Sequence, residues 1–249
     1  MRTDQLALQL YTIRDACAAD FLGTLREVAA MGYRAVELAG LHGVAPDRLR
    51  AALDELGISA VSAHVGLDRF EGDLGAVARE LRALGCGYAV VPWVPDALRT
   101  PDFARELAAK LNAWGASLAG EGIRVAYHNH DFEFRPVDGV TMWEQLAAGT
   151  DPALVDLELD LFWAAFAGYD PAAVLAQYAG RVALVHLKDM APDGKTYVAA
   201  GTGTLDWGAI IPAADAAGAR WFITEVDSSP DPMESARVAY RLMAERASA

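Results

Sequence analysis

Long apolar runs are missing from this chain. No stretch approaches the roughly eighteen consecutive apolar residues of a membrane span, so the expectation is no membrane partner. Cysteine is nearly absent too: Cys17 and Cys86 stand far apart and outside any CxxC pattern. That spacing excludes a disulfide framework and reads as two buried thiols in a reducing compartment. Positive charge is short, with 21 Lys and Arg against 34 Asp and Glu, a net of 21 − 34 = −13. Such a field repels phosphodiester backbones and anionic lipid, so no nucleic-acid partner is expected. The opening "MRTDQLALQLYT" has no leader pattern with a small-residue cleavage site, which makes a cytoplasmic location the expectation. The Gly-rich GxGxxG turn of dinucleotide-binding sheets is also lacking after the first apolar run, where "LYTIRDACAAD" stands instead.

Apolar residues, by contrast, make up 53% of the 249 positions, enough for a large core without metal staples. Short β-like runs alternate with helical patterns. The strand candidates are "LALQLYT" (6–12), "AVELAG" (35–40), "SAVSAHV" (59–65), "YAVVPW" (88–93), "RVAYHNH" (124–130), "LVDLELD" (154–160), "RVALVHLKD" (181–189) and "WFITEVD" (221–227). Between them, Phe103, Leu107, Leu111, Trp114 and Leu118 recur at helical spacing after Pro101, one apolar stripe on a helix. A glycine followed by a strand start recurs in "MGYRAVEL", "LGISAVSAH", "LGCGYAVVP", "EGIRVAYH" and "AGARWFITE", the punctuation of a helix end. Strands each followed by a helix predict an α/β fold, a closed (β/α)8 TIM barrel, over a single domain of residues 1–249. The piece 190–208, "MAPDGKTYVAAGTGTLDWG", has the length of a loop over a site, though a plain surface excursion fits equally.

Function in such a barrel sits at the carboxyl ends of its strands. The last polar residues of the predicted strands are Gln9, Glu37, His64, His128 and His130, Glu158 and Asp160, His186 and Lys188, and Glu225 and Asp227. Four of the five histidines are in that set, which scattered core histidines would not produce. Alternation puts residues i and i+2 on one side of a strand. One or both of His128 and His130, one of Glu158 and Asp160, one of Glu225 and Asp227, and His186 therefore converge on one divalent metal ion. Mixed imidazole and carboxylate ligands suit Mn2+, Co2+, Zn2+ or Fe2+ ahead of Mg2+. The bland readings differ by residue. Asp160 could cap the following helix. Lys188 is a substrate-binding cation, a proton carrier, or one end of a salt bridge to Asp189 or Glu225. His64 would hold substrate or a loop, Glu37 a hydrogen-bonded support, and His42 the surface.

With these residues in view, the chain resembles the sugar phosphate isomerase/epimerase superfamily, with its xylose-isomerase-like barrel. The resemblance runs through "LALQLYTIRD", "GYRAVELAG", "VSAHVGLD", "YHNHDFEF", "ELDLFW", "VHLKD" and "FITEVD". It implies one divalent ion held from the last four strands, mapping onto the "HNH" segment (His128, with His130 the rival), Asp160, His186 and Glu225. The separation of Asp160 and His186, 186 − 160 = 26 positions, fits the pattern of the superfamily. Ketose epimerases of this kind carry Glu where His128 stands, as both ligand and base.

The expected activity is metal-dependent isomerisation or epimerisation of a keto-sugar or sugar-like polyol, by proton abstraction to an enediolate. Glu225 is the first candidate base, with His128, His130 or Lys188 returning the proton. The substrate would be held by His64, Glu37, Gln9 and Trp163, and Trp93, Phe132 and Tyr11 are candidate ring walls or else core packing. The His-for-Glu exchange also suits a lyase, dehydratase or hydratase on a keto-sugar or 3-keto-glycoside. A non-catalytic sugar-binding barrel is the remaining rival. A neutral substrate is favoured because no Gly-rich phosphate cradle follows the last strands; "AAGTGTLDWG" with Lys195 is a weak candidate. Barrels of this kind commonly pair, so a homodimer is left open.

Overall fold

The computed structural model describes residues 1–247. Eight parallel strands close into a barrel: β1 (Leu6–Gln9), β2 (Ala35–Leu38), β3 (Ser59–His64), β4 (Tyr88–Val91), β5 (Arg124–His128), β6 (Val155–Asp160), β7 (Val182–Leu187) and, last in the chain, Trp221–Thr224. Two short strands, β8 (Asp189–Met190) and β9 (Tyr197–Val198), form a separate antiparallel pair, which makes the last barrel strand β10. β1 pairs with β10 on one side and β2 on the other, so no edge is left in the ring. The expected α/β barrel is thus present, with strands shorter than predicted. β1 stops at Gln9 because the chain tightens into a 3-10 turn over Leu10–Ile13, where Gln9 Oε1 accepts the Tyr11 N–H at 2.9 Å.

Helices cover the outside, and their packing explains the pattern in the sequence. The helix Pro101–Ala119 starts with proline at its first turn and a Thr100 cap whose hydroxyl accepts the Phe103 N–H at 3.2 Å. Phe103, Leu107, Leu111 and Leu118 are buried against the barrel as the stripe predicts, while Trp114 is partly buried against Phe70. The helix Phe21–Met31 ends at Gly32 with φ 114°. A side chain there would be strained by the backbone and would also meet the Tyr240 ring.

Inside the barrel the side chains come in layers. Apart from Tyr88, the lower layers are small or branched: Ala7, Ala35, Val61, Val90, Ala126, Ala183, Leu184 and Ile223. Above them, toward the carboxyl ends, the inward positions are Gln9, Glu37, His64, His128, Glu158 and His186, and the apolar filling stops. A register shift against β7 between Leu157 and Glu158 brings Asp160 beside His186, while the regular pairing with β5 sets Glu158 beside His128.

The segment after β7 does not cover the barrel mouth. The β8–β9 hairpin and the turns to residue 206 are gathered on Asp189. Its Oδ1 accepts from Met190 N (2.8 Å) and Leu205 N (3.0 Å), and its Oδ2 from Gly201 N (2.9 Å), Gly203 N (2.9 Å) and Trp207 Nε1 (2.7 Å). None of residues 190–208 lines the central cavity, so a loop over the site is corrected to a tethered flank. Of the two salt-bridge partners expected for Lys188, Glu225 is present at 2.8 Å and Asp189 is corrected, because neighbouring residues face opposite ways and Asp189 is spent on four backbone N–H groups and the Trp207 indole N–H. A Cβ at Gly203 would collide with the Met190 carbonyl and the Asp189 carboxylate. Gly203→Ala is expected to lower stability by about 1–3 kcal/mol and to make the flank the first site of limited proteolysis. Wild-type urea midpoints and cleavage patterns would refute that.

Candidate active site

The carboxyl ends of the strands enclose a cavity of about 570 Å3, lined by Tyr11, Ala39, His64, Pro92, Trp93, His128, His130, Glu225 and Asp227. Its floor is made by strand-end residues, and each owes its direction to a local device. His128 is the last residue of β5 and points into the barrel. Asn129 turns sideways: its Oδ1 accepts the Asp160 N–H at 2.9 Å and its Nδ2 donates to the Asp160 carbonyl at 3.4 Å, which laces β5 to β6. Glu133 folds back beneath the turn. Its Oε2 accepts the His130 N–H and its Oε1 the Tyr127 hydroxyl, each at 2.7 Å. Burial pushes the Glu133 carboxyl up to about 8. On the far side the Thr12 hydroxyl accepts the Val226 N–H at 3.0 Å, fixing the chain between Glu225 and Asp227.

His186 is the hub. Its Nε2 lies 2.7 Å from Glu37 Oε2 and in contact with Glu158, and its Nδ1 lies 3.0 Å from Glu225 Oε2. His64 stacks parallel to it, ring centroids 5.5 Å apart, with Nε2 3.2 Å from Glu37 and 3.5 Å from Glu158. Gln9 Nε2 donates to Glu37 Oε2 at 2.8 Å. Lys188 is fully buried in an acidic cage, its Nζ 3.0 Å from Asp160 Oδ2 and 2.8 Å from both Glu225 Oε2 and Asp227 Oδ2.

These neighbours set the protonation states of the ion-free chain. Burial works against charge on His186, but Glu158, Glu37 and Glu225 outweigh it and raise the imidazole well above its usual range. Burial likewise opposes charge on His64, and Glu37 and Glu158 overcome it, so that His64 is raised too. His128 is driven well below the usual range by burial and then by His186 and His64. His130 falls to about 3, through burial and then Lys188. Glu225, despite burial, is held well below the carboxylate range by Lys188 and His186. Asp160 is lifted to about 6 by burial, with Lys188 offsetting part of the rise. The carboxylates thus favour the charged form of His186 and His64, while burial and neighbouring cations favour the neutral form of His128 and His130 beside the cavity.

Two overlapping sets of donors come within 4.8 Å of one another: His64, His128, Glu158 and His186, and His128, Asp160, His186 and Glu225. Their donor chemistry fits a divalent cation. His128 Nδ1 is buried without a hydrogen-bond partner, as a ligand awaiting an ion would be, while Asp160 Oδ2 is held by the Lys188 ammonium at 3.0 Å. The second set opens on the cavity through His128 and Glu225. In the first, His186 Nε2 is already engaged by Glu37 and Glu158, the carboxylate backing that orients a ligand histidine. Glu158→Gln should therefore weaken Mn2+ or Zn2+ binding about ten- to a hundredfold by calorimetry while the fold persists; unchanged affinity would remove this role.

Of the residues expected at the site, His128, Asp160, His186 and Glu225 come together as one set, and His130 stands apart at the cavity wall. His64 lines the cavity. Gln9 and Glu37 lie beneath its floor as supports. Trp163 sits behind it, with its ring 5.4 Å from Lys188 Nζ and 5.5 Å from the His130 ring. Asp160 does cap the next helix through Oδ1, which accepts the Trp163 N–H at 3.0 Å, and keeps Oδ2 for the site. Asn129, Glu133 and the joint inward turn of Glu158 with Asp160 were not anticipated. The i, i+2 rule alone would have given the last of these.

Residues 25–246 match the family described as xylose isomerase-like TIM barrel, and the chain belongs to that family. It is 31% identical over 194 residues to an inosose dehydratase of Geobacillus kaustophilus, an alignment covering 68% of this chain and 62% of that protein. The chain thus spans less than two thirds of that relative's length. A sugar phosphate isomerase/epimerase from Parabacteroides distasonis has the same fold (TM-score 0.81, 22% identity, 96% of this chain and 93% of that one). So does the IOLI protein with a bound zinc atom (TM-score 0.78, 14% identity, 98% and 99%). Relatives thus bear the names of both a lyase and an isomerase. No helix among the described residues is long and apolar enough to cross a membrane.

Proposed function

We propose that the chain is a metal-dependent lyase that removes water, or another β-leaving group, from a neutral cyclic keto-sugar or keto-polyol. One observation carries the reading: the proton-handling groups that reach the cavity are unlike on its two sides. On the β10 side stand the carboxylates Glu225 and Asp227; across from them, on β3 and after β5, stand the imidazoles His64 and His130. Epimerisation by two matched carboxylates has no second partner here, whereas elimination needs one acceptor and one donor.

His128, Asp160, His186 and Glu225 would hold the ion, of the Mn2+, Co2+, Zn2+ or Fe2+ type. When bound it supplies Lewis acidity toward a ketone oxygen. Glu225 contacts His186 and Lys188 through Oε2, which leaves Oε1 to take the proton from the carbon beside the ketone. Lys188 lies under the floor and acts through Glu225, Asp160 and Asp227 by keeping them ionised. His64, raised by Glu37 and Glu158, faces the cavity and gives its proton to the departing oxygen. No lysine or arginine lines the cavity, which favours an uncharged substrate over a phosphorylated one. The similarity to inosose dehydratase supports an inosose-like ring as the first to try.

The test is incubation of the Mn2+-loaded protein with inosose in D2O, followed by NMR. Loss of water giving an unsaturated ketone is expected. Deuterium incorporation with inversion and no elimination would return the isomerase reading, and no exchange at all would point to a binding barrel.

A further inference from the structure

Trp163 reaches three parts of the site without lining the cavity. Its backbone N–H donates to Asp160 Oδ1 at 3.0 Å, its ring centroid lies 5.4 Å from Lys188 Nζ, and its ring lies 5.5 Å from that of His130. The Lys188 ammonium has three hydrogens to give and three carboxylates to receive them, Asp160, Glu225 and Asp227. The indole is a further neighbour, within the range of a cation–π contact. Lys188 is 0% exposed, so bulk water does not screen the ammonium from Glu225.

Indole would be a poor choice if filling space were its whole task. Its Nε1 is buried without a hydrogen-bond partner, a penalty that phenylalanine would avoid. Indole is, however, the best aromatic face for a cation. With no hydrogen bond to aim it, the ring is held by other rings: Phe162 at 4.9 Å, Phe166 at 5.6 Å and Tyr197 at 6.3 Å, all near edge-on. Tyr197 also packs on Phe162 at 5.6 Å. It belongs to β9, in the flank gathered on Asp189. The flank therefore reaches the Lys188 cage through Tyr197 and Trp163, although it does not line the cavity.

We infer that Trp163 is a positioning residue, which keeps water out of the Lys188 cage and steadies the His130 ring, and that Tyr197 holds it in place. Acting through Lys188, the indole maintains the positive charge that Glu225 feels. Water admitted to the cage would raise the local dielectric constant and weaken the coupling between Lys188 and Glu225. Glu225 as the base is the reading proposed above. The effect on turnover rests on that reading, whereas the cover over Lys188 does not.

Two measurements on Trp163→Leu, Trp163→Phe and Tyr197→Leu, beside the wild type, test this. The first is reductive methylation of the folded protein, read lysine by lysine by peptide mass spectrometry, with the exposed Lys195 as internal standard. Lys188 should be protected in the wild type and in Trp163→Phe, and should react about tenfold faster in Trp163→Leu. The second is turnover of inosose by the Mn2+-loaded protein. Trp163→Leu and Tyr197→Leu should lower kcat about tenfold with KM little changed, and Trp163→Phe should retain most of kcat. A Lys188 as protected in Trp163→Leu as in the wild type would overturn the inference. So would a reactive Lys188 with wild-type kcat, or a phenylalanine variant as impaired as the leucine one. If the wild type turns over no keto-sugar, a reactive Lys188 in Trp163→Leu keeps the cover and discards the elimination chemistry.

Discussion

Replacing His186 with alanine should abolish divalent-ion binding at the proposed centre and, with it, the proposed activity. The imidazole touches three buried carboxylates: Glu37 and Glu158 through Nε2, and Glu225 through Nδ1. It is also common to both sets of converging donors. Its removal takes away one ligand and leaves buried negative charge without its partner, which costs about 3–5 kcal/mol in comparable buried pairs. Urea unfolding should register that loss. Equilibrium dialysis against Mn2+ or Zn2+ with elemental analysis should show near-stoichiometric metal in the wild type and little in His186→Ala. Glu158→Gln separates the two consequences, since it perturbs the same hub from the inner side and keeps all four proposed ligands. A folded His186→Ala protein with wild-type metal content and wild-type carbonyl chemistry would remove the proposed centre.

The barrel was legible because its signals are local and repeated. The helices that lead into β2, β3, β4, β5 and β10 end at glycine, and most strands are short apolar runs that finish in a polar inward residue. The convergence of His64, His128, Asp160, His186 and Glu225 was legible for a related reason: closed parallel strands force their carboxyl ends onto one ring, so residues far apart in sequence meet whenever both face inward. What sequence could not give depends on irregularities. The shift between Leu157 and Glu158 decides that Asp160 lies beside His186, and periodicity says nothing about where a strand slips. β5 stops at His128, so His130 reaches the same cavity from the turn rather than from the strand, its ring 5.1 Å from that of His128. Asn129 and Glu133 then set where His130 points. The segment 190–208 was ambiguous because its fate hangs on one side chain, Asp189, whose five donors are spread over positions 190 to 207. Histidine at 128 in place of a strand-five glutamate already suits a lyase in the sequence, and the cavity adds that Glu225 and Asp227 reach it from one side and His64 and His130 from the other.

Lys188→Met should give a less stable protein that binds its metal more tightly. The ammonium sits 3.0 Å from Asp160 and 2.8 Å from Glu225 and Asp227, and with His186 it holds Glu225 well below the usual carboxylate range. Removing the charge leaves an acidic cage without its cation, and a loss of about 3–5 kcal/mol is expected in the metal-free state. Two of the cage residues, Asp160 and Glu225, are also proposed metal ligands. A divalent ion placed there lies close to the ammonium, and at such separations the repulsion per unit charge is of the order of 4 kcal/mol at an effective dielectric constant near 20. Methionine fills similar space without that charge, so Mn2+ affinity should rise by more than tenfold and the rise in Tm on adding Mn2+ should exceed that of the wild type. Turnover should fall at the same time, because Glu225 loses the partner that keeps it a carboxylate beside substrate. Scanning calorimetry with and without Mn2+, and direct titration, read both signs. Weaker metal binding in Lys188→Met would mean that Lys188 supports the ligands more than it competes with the ion, and that the cation belongs with His64 and Glu158 deeper in the barrel.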